Sequence, residues 1–508
     1  MANDEYDYII VGGGTAGAIL AARLSENEDV TVLVIEAGPT DENEPRALLL
    51  HRFFEMLEGQ YDLDYRSVEQ VRGNSHIRQA RARILGGCSS HNTMIAFKPP
   101  REDLDTWVAA GAVGWDADTL HPYLERLQMP IQPVAPEHRN PFLIDVVASA
   151  CSALGLAEID DWNEGELVCG AGFFPMSYDP QTRVRGSSSV WYLHPIMHTR
   201  ANLTVALETL VTSIIFSEGR ATGVELRASD GSLSVVNARR EVLLCAGAID
   251  TPALLLRSGV GAAHDLEGLG IDCVADLPGV GENLMDHPEG LILWESTRPL
   301  TEPRVSDWDA GILTRLDGGT GFPDLMFHVP LMTYGVHAER AGYQIPENNV
   351  TLTPNVPRPR SRGRVWIESA DPDVAPQIDY RYFTDPEGYD EAALIASIEL
   401  ARRIANTEPM KSWIVREVFP GPEVSGEELA ELVRRTNHTV YHVSGTCRMA
   451  ALDDPMAVVD PMLRVRGIDG LRVVDASVFP QLTTINPMVT VYLIAERAAD
   501  LIASSHPA

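Results

Sequence analysis

A short apolar run, Tyr8-Ile9-Ile10-Val11, is followed at once by Gly12-Gly13-Gly14-Thr15-Ala16-Gly17, and no other feature constrains the fold as strongly. An unbroken apolar run of this length reads as a buried parallel strand. The glycines fit G-x-G-x-x-G. Gly12, Gly14 and Gly17 permit a tight turn, close backbone approach to a diphosphate and close helix–strand packing. An Ala/Leu-rich helix is predicted over about Thr15 to Leu24, aiming the N–H groups near Thr15 and Ala16 at the anion. A second strand, Val30 to Ile35, ends at Glu36, the spacing expected for a carboxylate that accepts from ribose hydroxyls. Strand, turn, helix and strand within about 30 residues make a βαβ unit of Rossmann type. The pattern does not separate FAD from NAD, and Glu36 would repel the 2′-phosphate of NADP.

At 508 residues the chain exceeds one ordinary core, so two lobes are expected. A net charge of −32 repels phosphate backbones and anionic lipid, which argues against a nucleic-acid partner. Cys88, Cys151, Cys169, Cys245, Cys273 and Cys447 form no C-x-x-C pair, so no metal site is expected and they read as cytosolic thiols. The start, MANDEYDYII, lacks the basic-then-apolar pattern of a signal peptide. No apolar stretch is long enough to span a membrane. A soluble, cytoplasmic protein is the expectation.

Further along, residues 125–142 are Pro-rich and aperiodic and read as a surface loop. Val242 to Cys245 is another buried strand, leading through Gly247 to a helix opened by Thr251-Pro252. Residues 290–436 alternate strand-like segments with Pro/Gly turns and read as a mainly antiparallel sheet with helices, Asp390 to Ala405 and Glu427 to Arg435 among them. Leu471 to Asp475, then an apolar helix from Pro487 to Ile502, look like a last strand and helix returning to the first lobe. The predicted architecture is an α/β Rossmann-type lobe plus an α+β substrate lobe with a mainly antiparallel sheet. The first is assigned residues 1–140, 178–288 and 440–508, the second residues 141–177 and 289–439.

Four further segments carry a resemblance. Ala82-Arg83-Ile84-Leu85-Gly86-Gly87-Cys88-Ser89-Ser90-His91-Asn92 is, by itself, a glycine-hinged loop suited to contact with an anion or an isoalloxazine ring. With Gly247-Ala248-Ile249-Asp250-Thr251-Pro252, His442-Val443-Ser444-Gly445-Thr446-Cys447-Arg448-Met449 and the stretch from Val474-Asp475-Ala476-Ser477 to Asn486-Pro487, it resembles the ordered signatures of the glucose-methanol-choline (GMC) oxidoreductase family. Phrases such as MDHPEG, DYRYFTDPEG and TVYH resemble its choline-oxidising branch. The resemblance implies FAD on the first lobe, contacted by Gly12, Gly14, Thr15, Ala16, Gly17, Glu36, Gly86, Gly87, His91, Asn92, Asp475, Ala476, Asn486 and Pro487. It implies a covalent link through His91, and a homodimer.

The same resemblance implies roles in oxidising a small alcohol. Such a reaction needs a proton acceptor for the hydroxyl, a hydride acceptor facing the carbon, and donors for the developing alkoxide. His442 and Asn486 match the family's catalytic pair, and His328, on the apolar run LMFHVP, resembles a second active-site histidine. Glu289 matches the carboxylate that binds a quaternary ammonium; Phe53, Thr93 and Tyr441 are assigned to the substrate pocket. An Arg beside Glu289 is the alternative partner for that charge. The chain departs from the branch in Phe53 for Trp, Thr93 for Ser, Lys98 for an apolar or aromatic residue, and Met332 and Tyr334 near a family phenylalanine. These departures leave the natural alcohol open. The expected activity is oxidation to the aldehyde with oxygen as acceptor; the alternatives are a dehydrogenase using another acceptor, a non-redox lyase and a flavoprotein without catalysis.

Overall fold

The apolar run near the N-terminus forms strand β1 (Glu5–Val11), buried from Tyr6 onward in the computed structural model, which describes residues 5–319 and 321–506. β1 lies parallel to β2 (Val32–Ile35) on one side and to the end of the long strand Leu233–Leu244 on the other. Leu203–Ala206 extends the sheet beyond β2, and Leu471–Val473 joins Leu233–Leu244, both in parallel. Arg220–Ala228 and Thr209–Ser217 add an antiparallel meander, completing seven strands. Helix α1 (Gly17–Leu24) starts two residues later than predicted. A Cβ on Gly17 would fall 2.0 Å from the Gly12 carbonyl oxygen, so the helix begins where it packs on the glycine turn. β2 starts late as well, because the backbone of Thr31 is bonded to Asp7, N–H to carboxylate at 2.8 Å.

The nine-stranded second sheet draws its strands from residues 157–173, 288–355 and 414–439. Every pair in it is antiparallel except Ala157–Ile159 with Gly170–Phe173. It is the α+β lobe expected. Helices Pro141–Leu154 and Tyr389–Ala405 pack against it. The first of these was not predicted, although its start carries two local signals. Pro141 stands at the first helical position, and the Asn140 side chain accepts the Phe142 N–H at 2.9 Å. Among the described residues no helix is long and apolar enough to cross a membrane.

The helix expected to open at Thr251-Pro252 instead spans Gly247–Arg257. Its N-terminus is capped from a distant segment: Asp475 accepts the Gly247 N–H at 2.8 Å and the Thr251 hydroxyl at 2.6 Å. Pro252 therefore sits inside the helix, where its missing N–H leaves the Ala248 carbonyl unpaired. The Thr446 hydroxyl donates to that carbonyl at 2.7 Å and makes good the loss.

Candidate active site

The carboxyl ends of β1, β2, Leu233–Leu244 and Leu471–Val473 converge, as they do at ligand crevices in open α/β sheets. There they meet the ends of three segments of the second sheet, which supply Glu289, His328 and Tyr441-His442. Between them lies a cavity of about 930 Å³. Of the predicted site residues, all but Gly17 and Gly86 line it. Those two act on the backbone instead. Gly86 has φ +82°, and a Cβ there would meet the Ser90 hydroxyl at 2.1 Å.

One end of the cavity is a glycine cradle. Gly12 has φ +100°, and a Cβ would stand 2.6 Å from the Cys245 carbonyl oxygen. Gly87 comes so close to Gly14 that a Cβ would lie 2.8 Å from the Gly14 Cα. α1 begins beside this cradle with no side-chain cap, leaving its first N–H groups for an anion. Glu36 accepts from the Gly13 and Gly38 N–H groups at 3.0 and 2.8 Å. Burial pushes its carboxyl up to about 7.

Further in, several buried polar atoms on residues that line the cavity lack partners among the described residues: both ring nitrogens of His91, Nε2 of His328 and Oδ1 of Asn486. Orphaned groups of this kind are costly unless a ligand satisfies them. Together with the glycine cradle and the free helix N-terminus they fit an extended dinucleotide carrying a polar ring system. Gly12, Gly14, Thr15 and Ala16 would hold its diphosphate and Glu36 its ribose. His91, Asn92, Asp475, Ala476 and Pro487 would surround the ring.

At the far end His442 and Asn486 stand together, Asn486 Nδ2 lying 3.3 Å from His442 Nε2. His442 Nδ1 lies 2.9 Å from Nδ1 of His287. His287 Nε2 lies 3.1 Å from the Thr483 carbonyl oxygen, which can only accept, so His287 carries its proton on Nε2. Its Nδ1 is then an acceptor, and His442 must donate from Nδ1. The proton placement that follows leaves the His442 Nε2 lone pair facing the Asn486 amide. Burial, and then the nearby His287, His328 and Arg81, push His442 well below the usual imidazole range, so it rests neutral. The backbone behind it is tied down: Asp286 accepts the His442 N–H at 2.7 Å, along with the Tyr382 and Thr439 hydroxyls.

Glu289 lies in the same cavity. Among the described residues it has no Arg or Lys ion pair; His328 Nδ1 stands 3.7 Å away. Burial, and then the nearby Glu289 carboxylate, hold the Tyr334 phenol well above its ordinary range. Around Glu289 runs an aromatic wall. The Phe53 and Trp308 rings meet edge to face with centroids 5.6 Å apart, and Trp308 and Tyr334 at 6.0 Å. Lys98 and Met332 do not line the cavity, whereas Tyr334 does.

Sequence reasoning missed His287 and Trp308. His287 stands two residues before Glu289, so reading a strand there, with its period of two, would have put both on one face. Trp308, in the turn-rich stretch RVSDWDAG, carries no local signal of its place.

Comparison with known proteins agrees with this geometry. The family model described as GMC oxidoreductase matches residues 6–289 with its N-terminal part and 359–495 with its C-terminal part. The chain is 44% identical to choline oxidase of Arthrobacter globiformis, covering 99% of this chain and 95% of that protein. It is 33% identical to the oxygen-dependent choline dehydrogenase of Photobacterium profundum, over 99% and 94% of the two chains. Among solved structures, pyridoxine 4-oxidase from Mesorbium loti superposes with a TM-score of 0.91 at 29% identity, covering 99% of this chain and 100% of that one. Formate oxidase superposes at 0.89 with 26% identity, covering 100% and 99%.

Proposed function

Because the chain belongs to the GMC oxidoreductase family of FAD-dependent enzymes, we propose that it oxidises a small primary alcohol with a cationic, choline-like head to the aldehyde, with oxygen as acceptor. The observation that carries this reading is Glu289: a buried carboxylate without an Arg or Lys partner among the described residues, inside an aromatic wall and in the same cavity as His442 and Asn486. A buried, unpaired charge is costly, and a cationic substrate would compensate it. Phe53, Trp308 and Tyr334 would add cation–π attraction. A cytoplasmic setting belongs to the same proposal, supported by six unpaired cysteines.

FAD, when bound, supplies the hydride acceptor and returns the electron pair to oxygen, giving hydrogen peroxide. The protein's part is to bind, orient and move the proton. His442 Nε2 takes the hydroxyl proton, its acceptor state set by the Thr483–His287–His442 chain of hydrogen bonds. The Asn486 amide donates to the same oxygen without changing charge. The unpartnered Nε2 of His328 offers a second contact. Thr93 and Tyr441 line the same cavity and would contact the substrate.

The test is oxygen uptake and peroxide formation by the pure protein with choline, protonated amino alcohols and neutral alcohols in turn. A cationic alcohol is expected to give the highest kcat/KM. Activity confined to neutral alcohols would overturn the cationic reading. Turnover with an artificial dye but not with oxygen would make the protein a dehydrogenase. A flavin that no alcohol bleaches under anaerobic conditions would point to non-redox chemistry.

His287 gives a further expectation. His287→Phe removes the group that sets the His442 proton, and kcat is expected to fall roughly ten- to a hundredfold with KM little changed. Steady-state kinetics on enzyme of matched flavin content would check it, and an unchanged kcat would remove His287 from the mechanism.

FAD attachment through His91 belongs to the same reading. Its ring nitrogens are buried without partners among the described residues, and burial beside Arg81 and Arg185 pushes the imidazole down to about 3, keeping it neutral with one ring lone pair open. The yellow colour is expected to precipitate with the protein in acid. Complete recovery of flavin in the supernatant would count against the link.

A further inference from the structure

Behind the His91 loop, outside the cavity lining, lies a guanidinium with no counterion among the described residues. Arg185 is fully buried. Its Nη1 donates to the carbonyl oxygens of Ser89 at 3.1 Å and Asn92 at 2.8 Å, the residues that bracket Ser90-His91. Its Nε and Nη2 have no hydrogen-bond partner among the described residues. Among the described residues no carboxylate forms an ion pair with it. Asp41 acts on it only from a distance, being bonded instead to His194 at 2.7 Å and to Ser189. Burying a charge that is neither paired nor fully hydrogen-bonded works against folding, and an uncharged side chain would fill the space at less cost. The unpaired charge therefore calls for a use, and the group it grips is the one loop that presents an imidazole with two bare nitrogens to the cavity.

We propose that Arg185 is the positioning residue for flavin attachment, clamping the loop across His91 from behind so that its ring faces the flavin in one fixed place. The proposal rests on the reading of His91 as the attachment site. Attachment forms a bond between a His91 ring nitrogen and a methyl carbon of the isoalloxazine benzenoid ring. The methyl loses one proton and the imidazole its N–H proton. The electron pair left by the broken C–H bond reduces the isoalloxazine and passes to oxygen as hydrogen peroxide. Two properties of Arg185 serve this step. The fork onto two carbonyls holds the loop in a single shape, so the ring nitrogen is presented at a constant place. The positive charge, with that of Arg81, opposes protonation of the ring, which would abolish the lone pair.

The experiment follows covalent incorporation directly. Flavin-free wild type, Arg185→Met, Arg185→Lys and His91→Ala are mixed with FAD. Protein-bound flavin is measured over time after acid precipitation, alongside total flavin before precipitation and the thermal midpoint. Wild type is expected to link FAD. Arg185→Met is expected to bind FAD in comparable amount but to link it about 10²-fold more slowly, the size of effect that a misplaced reacting group produces. Arg185→Lys keeps the charge but not the fork, and should link about tenfold more slowly than wild type. Linkage by Arg185→Met at the wild-type rate overturns the proposal. Should Arg185→Met fail to fold, Arg185→Lys decides, and a wild-type rate there overturns it equally. A wild type that links no flavin, or His91→Ala that does, brings down the attachment reading itself, and Arg185 with it.

Discussion

Replacing His442 with alanine is expected to lower kcat by about 10²- to 10⁴-fold, the usual worth of a positioned proton acceptor. The side chain is half-buried, held neutral, and flanked on one ring nitrogen by His287 and on the other by Asn486. Alanine removes the lone pair at the reacting end and leaves His287 Nδ1 without its donor. His328, which also has a free ring nitrogen in the cavity, lies with its Nδ1 3.3 Å from Asn355 and 3.7 Å from Glu289, which ties it to the substrate head. It is not placed to substitute for His442. Flavin content should be unaffected, because the glycine cradle and His91 make no hydrogen bond to His442. The measurement is the rate at which a saturating alcohol bleaches the flavin without oxygen. A variant that bleaches as fast as wild type would show that the proton leaves by another route.

Replacing Glu289 with glutamine is expected to raise KM for a cationic alcohol by roughly 30- to several-thousandfold, from the 2–5 kcal/mol that one partner of a buried charge pair is typically worth. Glutamine keeps the size and shape of the side chain, so the pocket should hold its form. Only the charge is lost. The aromatic wall remains, and its attraction for an ammonium group, up to about 2 kcal/mol when desolvated, sets a floor to the affinity. With an uncharged alcohol of the same shape, KM should hardly move. Parallel kinetics with the charged and uncharged alcohols separate the two cases. If both respond alike, Glu289 serves the architecture and not the recognition of a cation.

The parts of the fold that were readable in advance are those set by consecutive residues. The run Tyr8 to Val11, the glycine turn and Glu36 specify a βαβ unit because strand burial, positive φ and helix packing are steric matters within a few residues. The long helices at Tyr389–Ala405 and Met488–Ser505 were legible within a few residues at each end for the same reason. The helix at Gly247 was misread at its start because its cap is Asp475, 228 residues away, and no local signal announces that. Pro141–Leu154 was lost because the Pro-rich stretch before it hides a good N-terminal cap.

By itself, then, the sequence determined the dinucleotide unit and, through its ordered motifs, the chemical types assembled around it: imidazole, amide, carboxylate and the histidine of the S-S-H-N loop. The tertiary structure alone decided which of these meet. It put His287 against His442 across 155 residues, Trp308 against Phe53, and Arg185 beneath Ser89 and Asn92. Steric rules act between neighbours along the chain, whereas a side chain's partner depends on how distant segments pack, and spacing in the sequence carries no measure of that distance.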